Sequence, residues 1–417
     1  MAGKLLPTTR AQVSGHKFLR RRVEHGLVFG DIRMIHDPLA SRQRAGILGM
    51  VAVALIAAVA GLLAWLQPNS DPGDAPVVRS EQGSLFVRID DRLHPVANLS
   101  SARLIVDEPV QPVTIGTEKL AEAVQGVPVG IAVAPNDFAP APEDTTPGGW
   151  AVCHEGESVS VIVGASVQSL DDDAAVVARV GQTEWLATAE RRTQLPPSDT
   201  PDGRAIRRVL GISEQTPRWE PPAEVLSVLE EGQPIRLPQP LPEVLSVAEA
   251  DPWVRHASGG IAPITATQKE MLLAAGAPAR NITRAELNAY PDAADPAALS
   301  LPAQASEFLD PSEQPLCATD SHALATLTQP DALRESVELS GESVATHFKG
   351  LPAGAVGVDT GHSYHVVSPV GQHHEVEQPE ALQSLGVNRV DEAPWAIIRL
   401  LPEGAALSRE AALKSTY

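Results

Sequence analysis

The chain has 417 residues, with 32 Lys and Arg against 52 Asp and Glu for a net charge of −20. That length suits about two to three domains, and the acidic balance argues against a nucleic-acid binder, which needs a basic face. Thirty-seven prolines with 4% aromatics leave little room for an all-α bundle, and two cysteines exclude a Cys-rich scaffold while allowing one bridge.

The charge is unevenly spread. Residues 1–45 hold nine basic residues, Arg20, Arg21 and Arg22 among them, against Glu24, Asp31 and Asp37, so this segment carries +6 and the remainder −26. Within it, Phe18–Val28 is predicted as a short helix with Phe18, Leu19, Val23, Leu27 and Val28 as its apolar positions. Asp31 is placed to open a second short turn that ends before Asp37-Pro38. Two readings stand side by side: a basic flank resting on anionic membrane lipid, and a partner-docking helix whose candidate residues are Phe18, Leu19, Arg21, Arg22, Val23 and Leu27.

Gly46–Leu66 follows, 21 residues with neither charge nor proline. As a helix it would reach about 31 Å, the thickness of a bilayer core. It is apolar on every face and lies at a charge discontinuity, unlike a core helix. A 45-residue basic leader without a small-residue cleavage site is unlike a signal peptide. The positive-inside rule puts the N-terminus in the cytoplasm, with Trp65 at the far interface. A single-pass anchor (46–66), a linker (67–80) and an extracytoplasmic body (81–417) result. Cys153 and Cys317 then lie in an oxidising compartment, where a disulfide is expected, and closing so long a loop would stabilise the fold by about 5 kcal/mol.

Several segments carry a family resemblance. Pro7-Thr8-Thr9-Arg10, Gln12-Val13-Ser14-Gly15, Phe18, Arg21-Arg22 and Asp31-Ile32-Arg33-Met34 with Asp37-Pro38 resemble the N-terminus of EccB, a membrane core component of the type VII (ESX) secretion apparatus of actinobacteria. The likeness continues through Ser84–Arg88, Leu93–Ile105, Trp150–Cys153 and Leu401-Pro402-Glu403-Gly404, so it spans the chain. His16 stands where the family would have tyrosine, and the stretch before Trp253 diverges. The resemblance implies an oligomeric membrane complex with EccC, EccD and EccE as partners, and ATPase activity has been ascribed to some members.

The outer region also repeats itself. Phe86-Val87-Arg88 recurs as Trp253-Val254-Arg255, Pro95-Val96 as Pro263-Ile264, and Leu104-Ile105 as Leu272-Leu273. Trp185 and Leu210-Gly211-Ile212 correspond to Tyr364 and Leu385-Gly386-Val387. Pro222, Val225-Leu226, Val228-Leu229 and Glu231-Gly232 return as Pro394, Ile397-Ile398, Leu400-Leu401 and Glu403-Gly404. Gly156-Glu157-Ser158-Val159 returns as Gly341-Glu342-Ser343-Val344. Matches in one order at similar offsets argue for duplication. Each unit reads as a strand pair and a short helix, near 84–115, 183–212, 251–277 and 362–388, with Phe86, Trp185, Trp253 and Tyr364 as core aromatics. Such units need a common platform, expected from Val127–Val133, Ser158–Val163 and Leu351–Val358. The fold class is therefore α+β and mostly β: a transmembrane helix, then a pseudo-two-fold body of four small repeats around a central β core. The cysteines lie at nearly the repeat offset, so their bridge is expected to cross the pseudo-dyad within the core.

Chemistry is sparse. No G-x-x-x-x-G-K-[ST] occurs, and Gly350-Leu351-Pro352-Ala353-Gly354 has no following lysine. His362, His365, His373 and His374 with Glu375 are the densest metal-ligand candidates, weighed against a solvated hairpin. Gly341–Ala345 is a loose relative of a nucleophile elbow, and Asp171–Asp173 reads as an acidic loop before a calcium site. No catalytic, cofactor or metal residue is assigned. The leading function is an assembly subunit of the secretion membrane complex; the alternatives are an extracytoplasmic nucleotide hydrolase and a cell-wall binding module.

Overall fold

The computed structural model describes residues 9–30, 38–66, 71–140, 149–257, 259–293, 299–329, 331–351 and 354–416. It divides into two compact units, Met1–Asp71 with Gly116–Lys119, and Pro72–Ile115 with Leu120–Tyr417.

The first unit holds two helices. Arg10–Phe29 begins eight residues before the predicted start, because Thr9 and Gln12 form a capping box: Thr9 Oγ1 accepts from the Gln12 amide, and the Gln12 side chain accepts from the Thr9 amide. Gly30, at φ 69°, closes it by donating to the Gly26 carbonyl. Pro38–Leu66 is the second, 29 residues long, with proline at the first position, where a missing amide costs nothing. The turn expected over 31–37 and the Trp65 side chain lie outside the described residues.

The second unit is built from four copies of one motif. A three-stranded antiparallel meander is followed by a helix, and a fourth strand returns parallel to the first, giving strand order 3-2-1-4 in each sheet. The motifs run over Val77–Ile115, Ala174–Trp219, Glu243–Asn281 and Val356–Glu392. Each therefore has two more strands than the sequence suggested, one before the meander pair and one after the helix. The helices are Leu99–Val106, Pro201–Leu210, Ala266–Ala274 and Pro379–Leu385. Asn98, Thr200 and Thr265 cap the first three, and the Leu-Gly signals are helix ends: Gly211 and Gly386 adopt φ 75° and 81°, a conformation disfavoured for residues with a Cβ.

The motifs associate in two pairs. The first and fourth share a core of Val87, Leu104, Val366 and Leu385, closed by the C-terminal helix Arg409–Ala412. The second and third share one of Val177, Ile206, Val254 and Leu272. Residues of both pairs pack on one face of a seven-stranded sheet whose centre is two hairpins, Trp150–Glu155 with Ser158–Val163 and Leu316–Thr319 with Leu324–Leu327. The hairpins join edge to edge through antiparallel strands in which Cys153 and Cys317 are directly opposed. The outer neighbours are exchanged. Val167–Ser169 from the first half pairs with Leu324–Leu327, and His347–Lys349 from the second pairs with Ser158–Val163.

Alternation along Trp150–Glu155 assigns the two faces of this sheet. Trp150 and Val152 face the largest core, with Trp219, Val358, Leu226 and Ile398. Ala151 and Cys153 face a smaller one with Ile162, Cys317 and Leu327. The disulfide thus sits at the junction of the two halves, Cα atoms 3.9 Å apart, in the lesser core rather than the main one.

Registers correct parts of the sequence alignment. Phe86 opposes Val78 and Pro95, as Trp253 opposes Leu245 and Pro263, so that match holds. Trp185, opposite Ala178, corresponds instead to His365, opposite Val358, because Ala178 and Val358 occupy the same core; Tyr364 is one place off. Gly156 turns the tight hairpin between Trp150–Glu155 and Ser158–Val163, whereas Gly341–Val344 lies in the longer loop that joins the edge strand Val337–Glu338 to His347–Lys349, so that likeness lies outside the duplication. Of the expected platform segments, only Ser158–Val163 is in the central sheet. Val127–Val133 supplies one bridging residue, Val129, to the first motif and the C-terminus, and Val356–Asp359 opens the fourth motif.

Candidate docking helix, membrane span and histidine cleft

The sequence-selected docking residues all lie on Arg10–Phe29. Leu19, Val23 and Leu27 recur every four residues and share a face. Phe18 lies on another, with Phe29 eleven residues on, where the His25 and Phe29 rings meet at 5.0 Å. These apolar side chains are exposed, Leu27 to 82%. Arg20 pairs with Glu24 at 3.0 Å, while Arg21 and Arg22 extend the basic surface between the apolar stripes. Over Arg44–Leu62 the second helix has 19 residues, uncharged after Arg44 and none of them buried. At about 1.5 Å per residue it matches a bilayer core.

In the body, the histidine-rich hairpin separates its members. His365 and His373 are diagonal neighbours on one face, ring centroids 5.5 Å apart; His374 points to the other, its Nδ1 bonded to the Ala405 carbonyl at 2.9 Å; His362 lies in the exposed turn. The described residues contain no group of three or more His, Cys, Asp or Glu arranged to hold a metal ion. His365 and His373 instead line a cleft of about 680 Å³ with Trp395 and Glu403. Trp395 stacks on His365 at 5.1 Å and meets His373 edge-on at 5.7 Å. Burial, and then the neighbouring His365 and His374, hold His373 down to about 4, and burial lowers His365 as well, so both rings are neutral at ordinary pH. Sequence reasoning missed the pairing of these histidines with Trp395 and Glu403, although the Glu231-Gly232 and Glu403-Gly404 match marked the segment that bridges to His373.

A second polar centre was missed. Glu184 receives Arg207 at 2.5 Å, Arg218 at 2.8 Å and Arg179 at 3.0 Å. Burial pushes its carboxyl up, but hydrogen bonds from Arg218 and Arg179 and the charge of Arg207 bring it down to about 2. Three cations on one carboxylate lock the second motif's meander to its helix and returning strand. Ser343, in the elbow-like stretch, donates to the Ala345 carbonyl at 2.8 Å. The Asp171 and Asp173 carbonyls accept backbone amides, which makes that run a turn into the second motif.

Comparison with known proteins places these features in context. The family model "Type VII secretion system ESX-1, transport TM domain B" matches residues 5–416. The ESX-1 secretion system ATPase EccB1 of Mycobacterium tuberculosis is 29% identical over 463 residues, covering 97% of this chain and 94% of the relative. The ESX-5 secretion system ATPase EccB5 of the same species is 26% identical over 488 residues, covering 97% and 93%. Among solved structures, a chain of the intact ESX-5 inner membrane complex is similar with TM-score 0.68 and 25% identity, covering 100% of this chain and 97% of that one. The EccB3 dimer from the ESX-3 core complex, 20% identical over 82% of this chain, shares the fold with TM-score 0.67.

Proposed function

The chain belongs to the EccB family of the type VII secretion system, and from that premise we propose that it is an assembly subunit of an inner-membrane secretion complex, supporting protein export without catalysis of its own. The observation that carries this reading is the exposed apolar surface at the N-terminus. Leu19, Val23 and Leu27 are exposed and none of Arg44–Leu62 is buried, and exposed apolar surface of this extent marks a partner or a bilayer. In this reading residues 1–45 are cytoplasmic and 46–66 span the membrane; the linker expected over 67–80 ends before Val77, whose strand is already part of the first motif, so the periplasmic body starts there. The +6 charge of residues 1–45 supports that orientation.

Family resemblance supports EccC, EccD and EccE as the partners, with the helix Arg10–Phe29 docking in the cytoplasm. The relatives carry ATPase in their names. This sequence contains no P-loop motif, and the function we assign is structural.

The test is deletion of residues 1–45 with the anchor retained, in cells that express the whole system. The outer body should remain membrane-bound and folded but fail to co-purify with EccC and EccD. Unchanged complex assembly on native gels would refute the docking role.

A further inference from the structure

The duplication gives the histidine cleft an internal counterpart. In the second motif, Trp185 and Arg192 are diagonal neighbours, as His365 and His373 are in the fourth. Arg192 forms a parallel bridge with Glu231, as His373 does with Glu403. The second-motif copy is filled: the Arg192 guanidinium lies 4.6 Å above the Trp185 ring and bonds Glu231 at 2.7 Å. In the fourth motif that arginine is replaced by histidine, and the place of Ala223 is taken by Trp395, which adds an aromatic face that is 44% exposed.

The cleft therefore keeps the carboxylate of a guanidinium site but has lost its guanidinium, and its aromatic wall is rebuilt, with His365 in the place of Trp185 and Trp395 stacked on it at 5.1 Å. Glu403 has no ion-pair partner among the described residues. Glu342 and Glu375 also line the cleft against one cation, Arg399, whose Nη2 is engaged with Ser227 Oγ at 2.7 Å. His365 and His373 are 3% and 4% exposed, and the Nδ1 of each is buried without a hydrogen-bond partner among the described residues. Neutral imidazoles, carboxylates and an indole face form a receptor for a cation with N–H donors.

We propose that the cleft bounded by His365, His373, Trp395 and Glu403 binds an organic cation, a guanidinium or primary ammonium group, in the place that Arg192 fills in the other half of the duplicated body. The group is either that of a free small amine or a basic side chain of a partner polypeptide; the chemistry is shared.

Isothermal titration of the full chain in detergent at low salt tests this, with agmatine as the free cation and a blocked Gly-Arg-Gly peptide as the polypeptide source. Saturable binding is expected with at least one probe, and a Gly-citrulline-Gly peptide should give none. Glu403→Gln removes the counter-charge, and His373→Arg supplies the guanidinium from within; each should weaken binding by roughly tenfold or more. Glu231→Gln, in the filled copy, should leave it unchanged. Matched thermal unfolding midpoints will show that the variants fold. A tenfold preference for the peptide assigns the group to a partner, and the reverse preference to a free amine. Absence of saturable binding by both probes, or full affinity in either folded cleft variant, overturns the proposal.

Discussion

The guanidinium of Arg103 donates to the carbonyl of Leu385 at 2.6 Å, joining the first motif's helix to the end of the fourth motif's helix across 282 residues of sequence. Arg103 is 7% exposed, and its Nε also donates to the Val110 carbonyl. Beside this contact, Ser384 Oγ donates to Asp107 at 2.7 Å. The interface between these motifs therefore has a polar pin through an apolar core.

Arg103→Met keeps most of the stem's packing but leaves both carbonyls short of a donor. A loss of about 2–3 kcal/mol is expected, read as a lower urea midpoint for the full chain in detergent. An unchanged midpoint would mean that the apolar core alone holds the two motifs together.

Removing the Cys153–Cys317 bridge should cost up to about 5 kcal/mol, as the long loop it closes implies. Cys153→Ala, Cys317→Ala and the double variant should lose similar amounts, since each removes the same link. Denaturation with and without reductant checks this; wild type should respond to reductant and the variants should not.

Acid should weaken the body in two overlapping steps. His373 is held at about 4 against an ordinary 6.5, so the unfolded chain takes up its proton first and stability falls as pH drops from 6.5 to 4. Burial displaces His365, His374 and His154 in the same direction. Glu184, at about 2 against 4.5, acts between pH 4.5 and 2 with the same sign, because its stabilising ionised form is lost on protonation. His373→Gln should shrink the upper step, and Glu184→Gln should abolish most of the lower one at a cost of about 3 kcal/mol near neutrality, where Arg207 and Arg218 lose their counter-charge. Unfolding midpoints measured from pH 7 to 3 separate the two.

The proposed docking role of the Leu19–Leu27 stripe predicts a dissociation of folding from assembly. Leu19→Asp with Leu27→Asp places charge on exposed positions, so the thermal midpoint should move by less than about 0.5 kcal/mol in equivalent stability. Recovery of the assembled complex from membranes should fall sharply. Normal recovery would shift the docking role elsewhere on the chain.

The sequence made some of this architecture visible and hid the rest for physical reasons. The middle strands were legible because an aromatic such as Phe86 or Trp253 begins an amphipathic strand. The opening strands were not. In Ala174–Val180, Ala174, Val176 and Ala178 enter one core while Ala175 and Val177 enter another, so a strand buried on both faces shows no alternation. The cysteine pair was legible from its spacing and compartment, but its assignment to the smaller core required the pleat. The histidine cleft depends on the diagonal between His365 and His373 and on the return of Glu403 beside them, which strand register alone decides.

The exchange of outer strands in the central sheet has a consequence for biogenesis. The hairpin of the first half finds its edge partner only in His347–Lys349, and Val167–Ser169 must wait for Leu324–Leu327. Neither half can complete its share of the sheet while the other is unsynthesised or still crossing the bilayer. Until about residue 349 has emerged, the chain carries open strand edges that can recruit foreign strands. The central sheet therefore matures late, after both halves have emerged, and a translocation arrest in the second half would strand an aggregation-prone intermediate at the membrane surface.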